Sequence, residues 1–276
     1  PAVPVSTSGA IIVPSKLGGY PVVGIGDYAF YKCDLLTSVT IPDTVTTIGE
    51  SAFLCLSIES VVIPDSVRSI GADAFQCCRS LKSIRIPSGI TRIASGTFCG
   101  CDSLESVTIP DGVTYIGGSA FSVCESLANL TIPNSVTNIG HFAFESCGSL
   151  ESVTIPSSVT YIDEAAFMSC RFLKSVILPN NIASINNYVF GGCYSLESVS
   201  IPNSVTNIGD NAFECCSSLE SVTIPNSVTY IGSEAFAYCD SLLKIEFLGN
   251  APKCEGSFKY VRPLCTAYVK RGSTGW

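Results

Sequence analysis

Along most of the chain a single aliphatic pattern returns. One unit places Leu104, Val107, Ile109, Val113 and Ile116 ahead of Phe121, with polar residues between them. The Phe column fixes the period, running Phe30, Phe53, Phe75, Phe98, Phe121, Phe144, Phe167, Phe190, Phe213 and Phe236 in steps of 23, apart from the 22-residue step Phe53 to Phe75. The missing residue falls near Cys55, before Ile58, because Ile63-Pro64 is back in register. Self-similarity at such a period is the signature of stacked repeats rather than of one large globular domain.

Within the unit, Val107 in, Thr108 out and Ile109 in is the alternation of a short half-buried strand, and β-branched residues suit that surface. Pro110 ends the strand, since it supplies no N–H to a ladder. Equivalent strands in successive coils must run the same way, which predicts one long parallel sheet. Val113 to Ile116 is extended and predicts a second short strand on another side of the coil. The next column reads Gly26, Gly49, Gly71, Ala94, Gly117, Gly140, Asp163, Asn186, Gly209 and Gly232. These residues tolerate positive φ, so a left-handed corner is expected there, with Ala94 the misfit. The Ala-Phe-x-x-Cys piece reads as one helical or 3₁₀ turn that plugs the corner with a ring. With strands about 4.8 Å apart, ten coils make a rod on the order of 50 Å long.

A repeat that cannot bury both faces alone needs a cap at each end. Residues 1–21 read as an N-terminal cap and atypical first coil, with Ile11-Ile12-Val13-Pro14 imitating strand and Pro and with Ser15 to Tyr20 as an irregular insertion. Residues 22–248 hold about ten repeats, and 249–276 break period and form a C-terminal cap carrying the one Trp.

The chain is 46% hydrophobic and 14% charged, enough apolar material for a core and far from the disordered class. A net charge of −8 without any basic stretch argues against nucleic-acid partners, which demand clustered Lys and Arg. Apolar runs are cut by Pro in every repeat, so no membrane insertion is expected within this chain. It begins at Pro1 without a Met or an apolar signal core, as expected of a processed chain whose targeting signal lies elsewhere.

The unit S-L-x-S-V-T-I-P-x-S-V-T-x-I-G-x-x-A-F-x-x-C-x, nearly letter for letter from Ser218 to Asp240, resembles the BspA-type class of leucine-rich repeat proteins. The resemblance covers nearly the whole chain, including the flanking Gly19-Tyr20-Pro21-Val22 and Gly272-Ser273-Thr274-Gly275-Trp276. It implies a repeat solenoid, a right-handed leucine-rich-repeat superhelix with a parallel β-sheet on one face and extended or 3₁₀ turns on the others. It also implies a surface protein similar to those of bacteria and some protists that attach to host proteins or other cells. Fold by itself does not fix that function.

No catalytic constellation is read from the residues. His141 stands just after a corner Gly, with no nucleophile or orienting partner assigned to it. Glu105, Glu151, Glu197 and Glu220 share one repeat position and read as a solvated face rather than an acid and base pair. Nucleotide-binding and metal-binding motifs are missing, so catalytic, cofactor and metal residues are all expected to be none.

Of fifteen cysteines, Cys33, Cys78, Cys101, Cys124, Cys147, Cys170, Cys193, Cys216 and Cys239 sit three residues after a Phe, with Cys55 read as the slipped tenth. One Cys per coil suits a buried thiol acting as a small hydrophobe. A linear ladder lacks the convergence a metal needs, and parallel Cβ vectors oppose the dihedral of a bridge. Outside the ladder, Cys254 with Cys265 is the best candidate disulfide, stapling a segment with little core of its own. Cys77 with Cys99 or Cys55 is a poorer pair, and an odd total leaves at least one free thiol.

For ligand binding, the exposed column Thr40, Val62, Arg85, Thr108, Thr131, Thr154, Ile177, Ser200, Thr223 and Glu246 is mostly a hydroxyl ladder. Specificity should arise where the surface stops repeating: at Lys82 and Arg85 in the third coil, and at Arg171, Phe172, Lys174 and Ile177 in the seventh. Aromatic residues at Tyr31, Phe142, Tyr188, Tyr194 and Tyr238, with Tyr115, Tyr161 and Tyr230, line the turns and the second segment as further anchors. The leading expectation is a non-catalytic, adhesin-like protein at the cell surface or outside the cell, engaging a host or other-cell protein. A passive stalk is the alternative, and carbohydrate binding at Tyr115 and Asn138 is an outsider.

Overall fold

The computed structural model describes residues 3–254, 256–261 and 264–276. The described residues form stacked coils of parallel strands and turns without any helix. One sheet edge starts at Gly9–Ile12, which pairs with Leu36–Thr40, and the far edge is Thr266–Val269, which pairs with Lys244–Phe247. Between them the register keeps like with like, as in Ser106↔Ser83, Val107↔Ile84, Val153↔Val176 and Val176↔Val199. A second parallel ladder of two-residue strands brings Ile93, Ile116, Ile139 and Ile162 into line, and likewise Ile185, Ile208 and Ile231. The expected Ser15–Tyr20 irregularity is instead an antiparallel hairpin, Lys16–Leu17 against Tyr20–Pro21, closed by Gly18 and Gly19 with φ of 58° and 87°. Two positive-φ residues in a row are what a type I′ hairpin turn requires.

The Phe column is a continuous stack. From Phe30 to Phe236 successive ring centroids lie 4.9–5.9 Å apart with interplanar angles of 1–18°. Offset stacking with centroids about 4.5–7 Å apart is a favoured aromatic contact, so the coil spacing and the ring preference agree. It continues into the C-terminal segment, where Phe258 stacks on Phe236 at 5.2 Å and Trp276 meets Phe247 edge-on at 4.6 Å. The aliphatic columns and the ladder cysteines fill the rest of one contiguous core.

The turn side of each coil differs from the helical or 3₁₀ turn expected of Ala-Phe-x-x-Cys, and the reason is hydrogen-bond supply. In the fourth coil Ser119, Phe121 and Val123 send their N–H groups axially to the carbonyls of His141, Ala143 and Glu145 in the next coil. The alternate residues Ala120, Ser122 and Cys124 close short turns onto Gly117, Ser119 and Phe121. Turning every second N–H along the axis puts the residues two before and two after each Phe at positive φ. The first column includes Ser119 (53°), Phe142 (54°) and Glu234 (56°), and the second Cys77 (57°), Val123 (57°) and Tyr238 (57°). A β-branched Val there is a costly conformation. Each coil tolerates it because a helical turn would leave the next coil's carbonyls unpaired.

The Gly column is therefore not the left-handed corner. None of Gly26, Gly49, Gly71, Gly117, Gly140, Gly209 and Gly232 has positive φ. Their small size serves coil approach instead. A Cβ added at Gly49, Gly117, Gly140 or Gly232 would fall 2.5–2.8 Å from backbone atoms of the preceding coil. Each of these glycines donates its N–H to that coil, as from Gly117 to the Ile93 carbonyl at 2.9 Å. Asn186, a departure from Gly, reaches the corresponding Ile162 carbonyl with its side-chain Nδ2 at 2.7 Å.

This gives an internal contrast. Gly140→Ala places a Cβ 2.7 Å from the Gly118 nitrogen and should cost roughly 1–3 kcal/mol, the range of overpacking. Gly26→Ala meets nothing within 4 Å and should leave denaturant stability within about 0.5 kcal/mol of the parent. Equal effects at the two positions would refute the coil-spacing role.

Candidate binding surface

The seventh coil runs from the turn side onto the sheet as Arg171, Phe172, Lys174 and Ile177, with Leu173 and Val176 turned into the core between them. Strand alternation over Ser175–Ile177 is what leaves Ile177 outward, 62% exposed on a sheet face made mostly of Ser and Thr. Phe172 is 59% exposed. With Arg171 it walls a shallow depression of about 360 Å³ whose floor is Ser126, Ser146, Ser149 and Ser169 from the two preceding coils. Tyr194, also exposed, holds the Arg171 position of the next coil, whose Ser195 N–H donates to the Arg171 carbonyl at 3.2 Å. The structure thus joins the four seventh-coil candidates into one strip.

The cations of the third coil have local partners. Lys82 Nζ reaches Glu59 at 3.1 Å, and Arg85 forks onto Asp65 at 2.9 and 3.4 Å. Lys174 is held the same way by Glu151 at 2.9 Å. In the coil-to-coil column Lys82 follows Glu59 and precedes Glu105, and Lys174 stands between Glu151 and Glu197, so each lysine interrupts a ladder of like charge. Exposed pairs of this kind contribute at most about 1 kcal/mol. Among the described residues Arg171 alone of the four candidate cations makes no ion pair. Val62, 80% exposed beside Arg85 in the sheet column, adds an apolar neighbour to the third-coil patch.

The other aromatics divide. Arg92 covers the Tyr115 ring at 4.3 Å, and Tyr115, Asn138 and Tyr161 are successive partners in the second ladder. Tyr161 donates its hydroxyl to Asp163 at 3.1 Å. Phe142, Tyr188 and Tyr238 occupy the positive-φ columns, which aims them off the turn edge. Tyr238 stacks on Tyr260 at 4.8 Å, a pair hidden from sequence reading because Tyr260 lies beyond the regular repeats. His141 is exposed, 4.0 Å from Asp163 and edge-on to Phe142.

The reactive side chains are thiols, and all fifteen are free. Eight ladder cysteines, Cys78 to Cys239, set Sγ 3.1–3.3 Å from the carbonyl of a Phe in the preceding coil, as Cys170 does with Phe144. For Cys101 to Cys239 the same carbonyl also accepts the N–H of its own coil's Cys, so the thiol supplies its second donor. The ladder Cys is thus a buried donor as well as a small hydrophobe. In the coil of Phe53 the ladder place is taken by buried Leu56, not by Cys55, which sits one residue earlier at φ 63°. The short coil drops its residue after Leu56. Cys254 is exposed and Cys265 half-buried, and both are free thiols. Burial pushes the ladder thiols upward, to about 12 for Cys78, Cys170 and Cys239. Among the described residues no three His, Cys, Asp or Glu side chains converge on a metal-sized site.

Stacked coils, a Phe column and a strand-lined face define the leucine-rich-repeat class of solenoid. The chain belongs to the family of the BspA type leucine rich repeat region, whose six-copy pattern matches residues 23–149 and 137–260. A leucine-rich repeat protein from Bacteroides ovatus is 26% identical, with 95% of this chain and 84% of that one covered and a TM-score of 0.71. A leucine-rich repeat protein from Eubacterium ventriosum is 22% identical over 97% and 92% of the two chains, with a TM-score of 0.54. The pneumococcal vaccine antigen PcpA is 17% identical over 96% and 84%, with a TM-score of 0.55. No curated protein matches the chain.

The thiol ladder sets a pH dependence. Its folded-state pKa values lie above the ordinary value of 9.0, so the protonated, buried form is what folding favours. That contribution is whole below about pH 9 and is lost as pH rises through about 12. Thermal midpoints should therefore fall steadily across this window, with more than one proton released per chain on unfolding. A midpoint that stays level to pH 12 would contradict the buried ladder.

Proposed function

We propose that this chain is a non-catalytic binding protein, displayed at the cell surface or outside the cell, that engages a protein of a host or of another cell through its repeat surface. The observation that carries the reading is the seventh-coil strip: two large apolar side chains, Phe172 and Ile177, both more than half exposed and joined by Arg171 and Lys174. An aromatic or aliphatic anchor beside an Arg is the make-up of an interface hot spot. On a face otherwise made of Ser and Thr hydroxyls, it is also where a partner can find register. Membership of the BspA-type family supports display.

In this reading the third-coil cations sit at a rim. Their charges are already paired, so they tune encounter with an acidic partner more than they anchor it.

The test is capture of extracellular host proteins on the immobilised chain, followed by affinity measurement with the captured protein. Phe172→Ala with Ile177→Ser should weaken binding at least about tenfold, some 1.4 kcal/mol. Lys82→Glu with Arg85→Glu should slow association chiefly at low salt. Wild-type affinity in both double variants would end this reading and favour a passive stalk.

A further inference from the structure

The column two residues after each Phe holds Cys55 and Cys77 in adjacent coils, both at positive φ (63° and 57°), and three further observations show that neighbours in this column touch. Tyr238 and Tyr260, occupying it near the C-terminal end, stack face to face at 4.8 Å with planes 6° apart. A Cβ built on Gly100, the next member after Cys77, would lie 3.3 Å from Cys77 Sγ and 3.7 Å from its Cα. A Cβ on Gly192 would lie 3.2 Å from Ser169 Oγ and 3.5 Å from its Cα. Side chains in this column therefore lean toward the following coil, and Cys55 leans toward Cys77.

The Phe53 and Phe75 rings of the two coils concerned are 4.9 Å apart, the shortest step of the Phe column. These coils are pinned beside the thiols by the Cys55 N–H, which donates to the Gln76 carbonyl at 2.8 Å, while the Cys77 N–H holds the next coil through the Cys99 carbonyl at 2.7 Å. Unlike the core ladder, both thiols are half-buried and line one open cleft of about 330 Å³ with Leu56, Ser57, Arg79 and Ser80. The cleft exists because the short coil has Ser57 alone where the next has Arg79 and Ser80.

We propose that Cys55 and Cys77 are a cross-coil dithiol that closes to a disulfide by exchange with a small-molecule disulfide entering this cleft. One thiol loses its proton to solvent and its sulfur attacks the small disulfide, forming a mixed disulfide and releasing one small thiol. The second protein sulfur then attacks the mixed disulfide, forming the Cys55–Cys77 bond and releasing the second small thiol. Two protein S–H groups and one R–S–S–R become one protein S–S and two R–SH. The Cα separation that a bridge needs, about 4.4–6.8 Å, is the spacing of adjacent coils. The strained dihedral imposed by parallel Cβ vectors makes the bond readily reducible, which suits a reversible mark rather than a permanent staple. Burial, followed by the neighbouring Cys55, raises the Cys77 thiol while Arg79 opposes the shift, so exchange should quicken as the pH is raised above neutrality.

Cys215 is an internal control: it occupies the same column, half-buried, but its column neighbours are Gly192 and Tyr238. The full chain is reduced, exposed under native conditions to oxidised glutathione, quenched with an alkylating agent and mapped by peptide mass spectrometry. The expected result is an intramolecular Cys55–Cys77 cross-link that dithiothreitol reverses, with Cys215 carrying glutathione or remaining free. Cys55→Ser should convert Cys77 to a glutathione adduct without any cross-link to Cys99. A Cys77–Cys99 bridge in the parent chain, adducts on Cys55 and Cys77 without a bridge, or no reaction at either sulfur would each overturn the proposal.

Discussion

A coil of this chain can neither bury its own Phe ring nor pair its own backbone, and both deficits are met by its neighbours. The axial hydrogen bond from each Phe N–H to the next coil, such as Phe144 to the Ala166 carbonyl at 2.8 Å, is the constraint on which the rest depends. It fixes the coil spacing, and the spacing holds the benzyl rings in a near-parallel column. It also compels the alternating positive φ of the turn side and crowds the Gly column, where Ala94, Asp163 and Asn186 are the members that carry a Cβ. Eighteen non-glycine residues at positive φ among the described residues would be hard to sustain in an isolated domain. Here each strained residue gains a hydrogen bond that the next coil repeats.

The period, the core columns and both parallel ladders were legible from the sequence because each coil repeats the same apolar positions, and no single misfit hides ten copies. Turn geometry was not legible, because the positive-φ columns have no residue preference: one reads Tyr28, Ser51, Asp73, Gly96, Ser119, Phe142 and so on. The Gly column misled for a physical reason, since Gly is selected both by positive φ and by close backbone approach, and only coordinates separate the two. From the letters Cys55 reads as a ladder member, because a one-residue gap can be placed on either side of Leu56, and burial decides it. Phe258 escaped because it follows Phe236 by 22 residues within a segment that otherwise breaks pattern.

The candidate surface shows a similar division. That coil seven departs from consensus is visible in the letters, and so is the outward direction of Ile177. What the letters do not carry is that Lys82 and Lys174 neutralise their own acidic columns, which depends on which residues lie one coil away. Once these charges are assigned, apolar exposure rather than positive charge distinguishes the strip at Phe172 and Ile177. The same stacking that makes the core continuous makes the surface a ruler, so a partner is read by where the repeat fails.

The central claim is that coils stabilise one another through the shared column rather than individually. Native-state hydrogen exchange on Phe144→Ala tests it most directly. Removing one fully buried ring should cost roughly 3–5 kcal/mol, with protection lost together at the Phe121, Phe167 and Phe190 amides on both sides of the cavity. Loss confined to the substituted coil, with flanking amides as protected as in the parent, would contradict it.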